Sequence, residues 1–114
     1  MTPPEIMNGL KAKNRLLTAK NDEYIELAEK KAQAERDYNV AVRTKTMELR
    51  SADEKITLIP TLVKGDSTVA KLKFDLDVAT AVERACLESI KDIRSQIDTY
   101  RSLLSWLKAE LQSQ

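Results

Sequence analysis

The side chains in this 114-residue chain that could do chemistry are one cysteine, eighteen carboxylates and nineteen lysines and arginines, with no histidine. Without an imidazole there is no Ser-His or Cys-His pair, and the commonest metal ligand and general base is missing. Cys86 falls among apolar residues at helical spacing and reads as a small buried hydrophobe. The carboxylates Asp22, Glu23 and Glu26, and again Asp75 and Asp77, are spaced as solvated helix faces and not as convergent pairs. No Glu-x-x-His occurs, and neither Gly9 nor Gly65 belongs to a phosphate-binding glycine motif. No catalytic, cofactor-binding or metal-binding residue is therefore assigned, and the chain reads as non-enzymatic. A different chemistry is offered by Lys11, Lys13, Arg15 and Lys20, which occupy a stretch from Met7 to Asn21 that holds no acid. Four cations on one helical segment could neutralise phosphates. On a helical wheel they spread around the circumference, and no aromatic side chain interleaves to stack a base. Nucleic-acid binding is the alternative function on this evidence, and a solvated basic segment the simpler account.

The elements that must carry these residues are helices. Charged residues make up 32 % of the chain and aromatics 4 %, with two glycines and three prolines. That is the profile of long helices and coiled coils. Thr2-Pro3-Pro4-Glu5 forms a capping box, with proline in the first turn. From Glu5 to Arg50 no proline intervenes. A 3.5-residue reading of this half gives Leu10, Asn14, Leu17, Asn21, Tyr24, Ala28, Lys31, Glu35, Tyr38, Val42, Lys45 and Leu49, widened by Leu27, Ala34 and Ala41. Polar side chains interrupt the seam. The second half is cleaner: Leu72, Leu76, Ala79, Glu83, Cys86, Ile90, Ile93, Ile97, Tyr100, Leu104, Leu107 and Leu111 alternate by four and three, with Glu83 alone polar. Asp66 or Ser67 can cap this helix.

The expected fold is all-α: a single domain over residues 1–114, with helix 1 at about 3–50, an apolar connector at about 51–66 and helix 2 at about 67–112. Each helix would be about 67 Å long. The simplest arrangement is an antiparallel two-helix hairpin, a coiled coil in which facing residue numbers sum to roughly 120. Lys31 would then meet Glu83 or Glu88 across the seam, and Asn14 and Asn21 would face the Tyr100–Leu107 region or look at water. One hairpin leaves apolar surface uncovered at Val82, Leu87, Leu103 and Trp106, so a homodimer completing a four-helix bundle is expected. These four residues are candidates for protein contact, Trp106 above all as the single tryptophan. Leu62 in the connector is a fifth.

The connector, ITLIPTLVKGDST, is the odd piece. Pro60 disfavours the helical conformation at Ile59 and bars helix 1 from continuing, while Gly65 can end a short helical turn. Ile56, Leu58, Ile59, Leu62 and Val63 either plug the end of the hairpin or present an apolar tip to a partner.

The segments SLLSWLKAE after IRSQIDTYR, TLVKGDSTVAKLK around the break, and YNVAV in the first helix resemble small helical-hairpin proteins of unassigned role encoded by phages and prophages of Gram-positive bacteria. The resemblance runs from about Leu10 to Glu110 and rests on helix-packing patterns. It implies an accessory or host-directed binding protein, an adaptor in phage replication or recombination or an inhibitor of a host factor, and carries over no catalytic residue. A structural or assembly role is a further alternative. The net charge is +1 and the halves differ little, with ten basic and eight acidic side chains in residues 1–50 and nine and ten in residues 51–114, and no apolar run reaches the length of a membrane span. No secretory leader is recognisable at the start. The expected setting is the cytoplasm of a bacterial host, with a protein partner and no membrane.

Overall fold

A computed structural model of the chain describes residues 1–113 and is all-helical. The helices are α1 (Pro3–Ser51), α2 (Ile59–Gly65) and α3 (Ser67–Gln112), with no strand among the described residues. No described helix is long and apolar enough to cross a membrane.

The ends of α1 follow from local chemistry. The Glu5 N–H donates to Thr2 Oγ1 at 3.3 Å, so the expected cap is made, and Pro3 sits in the first turn where its missing N–H costs nothing. At the other end Asp53 takes a left-handed φ of 60°. Its N–H donates to the Arg50 carbonyl and that of Glu54 to Leu49, which closes the helix as a Schellman motif. Aspartate tolerates this conformation better than most side chains. Pro60 therefore plays no part in stopping α1, contrary to the sequence reading. It lies in the first turn of α2, with Ile59 already helical. Ile59 is 5 % exposed, and its burial outweighs the local preference of a residue before proline for extended backbone.

The chain divides into two compact units, Met1–Ile25 with the chain from Arg84 onward, and Glu26–Glu83. In the first unit Ile6, Cys86, Ile90, Ile93 and Ile97 are buried. The helical segments run antiparallel, with Gly9 against Tyr100 and the Cys86 thiol donating to the Lys20 carbonyl at 3.6 Å. A Cβ on Gly9 would stand 2.7 Å from the Tyr100 ring, so the missing side chain is what allows this close approach. In the second unit Ile59, Val63 and Val69 form a core covered by Tyr38, Ala41, Val42 and Leu49. Here the pairing is again antiparallel: Lys31 Nζ lies 3.5 Å from the Glu83 carboxylate, Lys73 Nζ 5.7 Å from the centre of the Tyr38 ring, and Lys45 Nζ 3.6 Å from Asp66.

The Lys31–Glu83 contact is the one expected from the sequence, but the register around it is not. Residue sums near 120 would have set Tyr38 opposite Val82 and Lys45 opposite Asp75; they face Lys73 and Asp66 instead. The reason is the early closure at Asp53. The chain turns directly after α1, and α2 then occupies connector residues that a symmetric turn would have spread over both arms.

The inward face of α1 is largely the expected one: Leu10, Leu17, Tyr24, Ala28, Lys31, Tyr38, Val42, Lys45 and Leu49 are half-buried. It departs at Asn14, Asn21 and Glu35, which are exposed, and at Lys13 and Lys20, which are half-buried beside the first two. Lysine suits such a position because its methylene stem can lie on apolar surface while the ammonium stays in water. The α3 seam keeps its expected phase from Leu72 to Leu107, but Leu111 is 67 % exposed and lies outside it.

Candidate protein-contact site

The connector resolves into two opposed faces of one seven-residue helix with its lead-in turn. Ile59 and Val63 are four residues apart, share a face of α2 and are 5 % and 6 % exposed. Ile56, Leu58 and Leu62 point away, at 79, 48 and 41 % exposure. Part of the segment is thus a buried plug, and the rest is an exposed apolar surface. The plug consists of two side chains rather than five, because a helix of seven residues can bury only one stripe against the helices beneath it. The Pro60 ring needs no backbone partner in the first turn, and the Leu62 N–H donates to the Leu58 carbonyl at 3.0 Å, so the outward face is rigid.

Asp66 locks the passage into α3. Its carboxylate accepts from the Val69 N–H at 3.0 Å and pairs with Lys45, while its own N–H donates to the Val63 carbonyl. The bond from Val69, reinforced by the Lys45 charge, holds the Asp66 pKa below its ordinary value of 3.8. A lowered folded-state pKa means stabilisation that is present above the unfolded value and lost as pH falls through the folded one. Asp66→Asn keeps an acceptor for Val69 but loses the ion pair. We expect the wild type to melt above Asp66→Asn at pH 7 and the gap to close below 3.8. A gap unchanged in acid, read by circular dichroism, would refute this account.

Beside α2 lies a groove of about 650 Å³. Tyr38, Val42 and Thr46 of α1, Ile59, Pro60 and Val63 of α2, and Val69 and Ala70 of α3 form its walls, with Ile56 at one edge. Arg50, Lys64 and Lys73 also line it, and no carboxylate does. Lys73 donates to Asp77 at 2.9 Å, and that hydrogen bond raises its pKa, so it is fully charged at neutral pH. Arg50 and Lys64 are exposed and make no ion pair among the described residues. A volume of this size with an apolar lining and a few polar groups is typical of a ligand or anchor pocket. The arrangement can seat an apolar side chain and attract acidic neighbours of it.

The residues singled out in the sequence do not meet in one place. Leu62 is on the outward face of α2, and Val82, at 44 % exposure, is in the same unit. Leu103 and Trp106, at 37 and 59 %, belong to the other unit and are neighbours three residues apart on α3, while Leu87 is half-buried there. Lys11 and Arg15 are exposed, whereas Lys13 and Lys20 turn toward the seam, and Lys20 is bound to Glu23 at 3.0 Å. The four cations therefore do not share a face. The sequence reading missed Phe74, 67 % exposed, and Val78, 45 % exposed. Their spacing of four from Ala70 to Val82 was there to be read. Nothing local marks Arg50, Lys64 and Lys73 as a group, since only the fold brings them together. No cluster of three or more His, Cys, Asp or Glu side chains that could hold a metal occurs among the described residues. No protein-family model matches the chain, and no curated protein or solved structure shows significant similarity to it.

Proposed function

We propose that this is a non-enzymatic accessory protein of a phage or prophage that works by protein–protein contact in the cytoplasm of a Gram-positive host, as an adaptor in replication or recombination or as an inhibitor of a host factor. In this reading the long helices form one antiparallel hairpin, which dimerises into a four-helix bundle. The phage setting rests on the resemblance of SLLSWLKAE, TLVKGDSTVAKLK and YNVAV to small hairpin proteins of such genomes. The contact mode rests on one observation above the rest. α2 turns Ile56, Leu58 and Leu62 outward beside an apolar groove lined by three cations and no acid.

The partner surface that fits is an apolar anchor flanked by Asp or Glu. Because α2 is held by its buried face and by Asp66, little ordering opposes binding. The test is photo-crosslinking from Lys64 in phage-infected or prophage-bearing cells, comparing the wild type with Leu62→Ser and Arg50→Glu. A protein crosslinked by the wild type and lost from both variants, with helical content unchanged, supports the reading. Retention of the same crosslink in both variants, or none in the wild type, overturns it.

A further inference from the structure

Away from the α2 groove, but within the same unit, α3 carries an apolar ridge that the chain itself leaves uncovered. Phe74, Val78 and Val82 follow one another at intervals of four and so line up along one side of the helix. Phe74 is 67 % exposed, and Val78 and Val82 are each close to half exposed. The ring forms part of the wall of a dent of about 330 Å³, together with Leu27, Val78, Ala79 and Val82. Lys30 of α1 lines it as well, and so does Asp75 of α3. Lys30 makes no ion pair among the described residues, and Asp75 is held by Lys71 at 3.1 Å.

We infer that this patch is a two-fold interface with a second copy of the same chain, in which Phe74 of each copy enters the dent of the other and Lys30 of each meets Asp75 of the other. A two-fold contact joins one surface to itself, so the surface must carry both halves of every complementary pair. This one does. It holds an exposed ring and an apolar dent, and a cation without an ion pair among the described residues beside an anion whose partner within the chain is the exposed Lys71. A partner of different sequence would need only one half of each pair. The inference deepens the dimer reading given above by naming its face. It is independent of the α2 groove, because crosslinking at Lys64 reports on the partner and oligomer mass reports on this interface.

Sedimentation velocity on the full chain tests it, at ~50 mM salt so that charge pairs are not fully screened. The wild type should be dimeric at micromolar concentration, and Phe74→Glu monomeric with unchanged helical content. Lys30→Glu alone and Asp75→Lys alone should each weaken the dimer by about tenfold or more, since each sets like charges face to face twice. An equimolar mixture of these two variants should dimerise again, because across a two-fold axis the heterodimer restores both opposite-charge pairs. No effect within one chain can produce that recovery. A monomeric wild type, a dimeric Phe74→Glu, or a mixture no tighter than its components would each overturn the proposal.

Discussion

Ile59→Ala is expected to lower the unfolding free energy by about 2–5 kcal/mol, whereas Leu62→Ser, three residues further on, should change it by less than about 0.5 kcal/mol. The two side chains are of similar size and share one short helix, so propensity and composition predict no such contrast. It comes from what each side chain touches. Ile59 is 5 % exposed within the cluster of Val63 and Val69, against Tyr38, Ala41, Val42 and Leu49. Removing its outer carbons leaves a cavity at the only buried apolar cluster of its unit, and a helix of seven residues has no stability of its own with which to compensate. Leu62 is 41 % exposed and loses little on becoming serine. Urea unfolding of the two variants, with the slope checked for two-state behaviour, measures the difference. Equal losses would mean that α2 packs as a whole, and that its outward face is not available to a partner.

The second large effect is expected in the other unit. Ile90→Ala should cost about 2–5 kcal/mol, a major part of the ~5–15 kcal/mol typical of a whole domain. The apolar core of this unit is lopsided. Four of its five buried side chains, Cys86, Ile90, Ile93 and Ile97, come from α3, and α1 supplies only Ile6. Opposite them α1 offers the half-buried Lys13, Leu17 and Lys20. Lysine stems can cover apolar surface but cannot refill a void left by a missing side chain, so the site relaxes poorly. Leu17→Ala should cost less than Ile90→Ala, because Leu17 starts out partly exposed. Thermal melts of both variants decide the order. A larger loss for Leu17 would show that α1, not α3, carries the packing.

These effects mark how far the residues could be read unaided. The α3 seam was legible because its apolar side chains recur by four and three with a single polar exception, and no other phase of the helix buries comparable surface. The seam of α1 was legible except at its polar positions. At Asn14 and Asn21 the neighbouring Lys13 and Lys20 take the half-buried place, and these side chains differ little from asparagine in hydrophobicity but greatly in reach. Lys31–Glu83 was legible as a possibility, since both interrupt otherwise apolar stripes. The candidate site was legible only as an oddity of composition. The connector was visibly apolar, but its division into the buried Ile59 and Val63 and the exposed Ile56, Leu58 and Leu62 depends on a seven-residue helix seated against α1 and α3.

What the residues determined alone was therefore local. Thr2 and Pro3 set the start of α1, Asp66 ends α2 and caps α3, and the 3.5-residue period of the second half selects its inward face. Each of these depends on neighbours within a turn or two of helix, and the chemistry of caps and periodicity acts at that range. The tertiary structure decided the register of the arms, the place of Lys13 and Lys20 along the α1 seam, the two faces of α2 and the gathering of Arg50, Lys64 and Lys73 on one groove. These depend on contacts between residues far apart in the chain. Where one helix presents a weak stripe, several local solutions differ by little, and the packing of the whole selects among them.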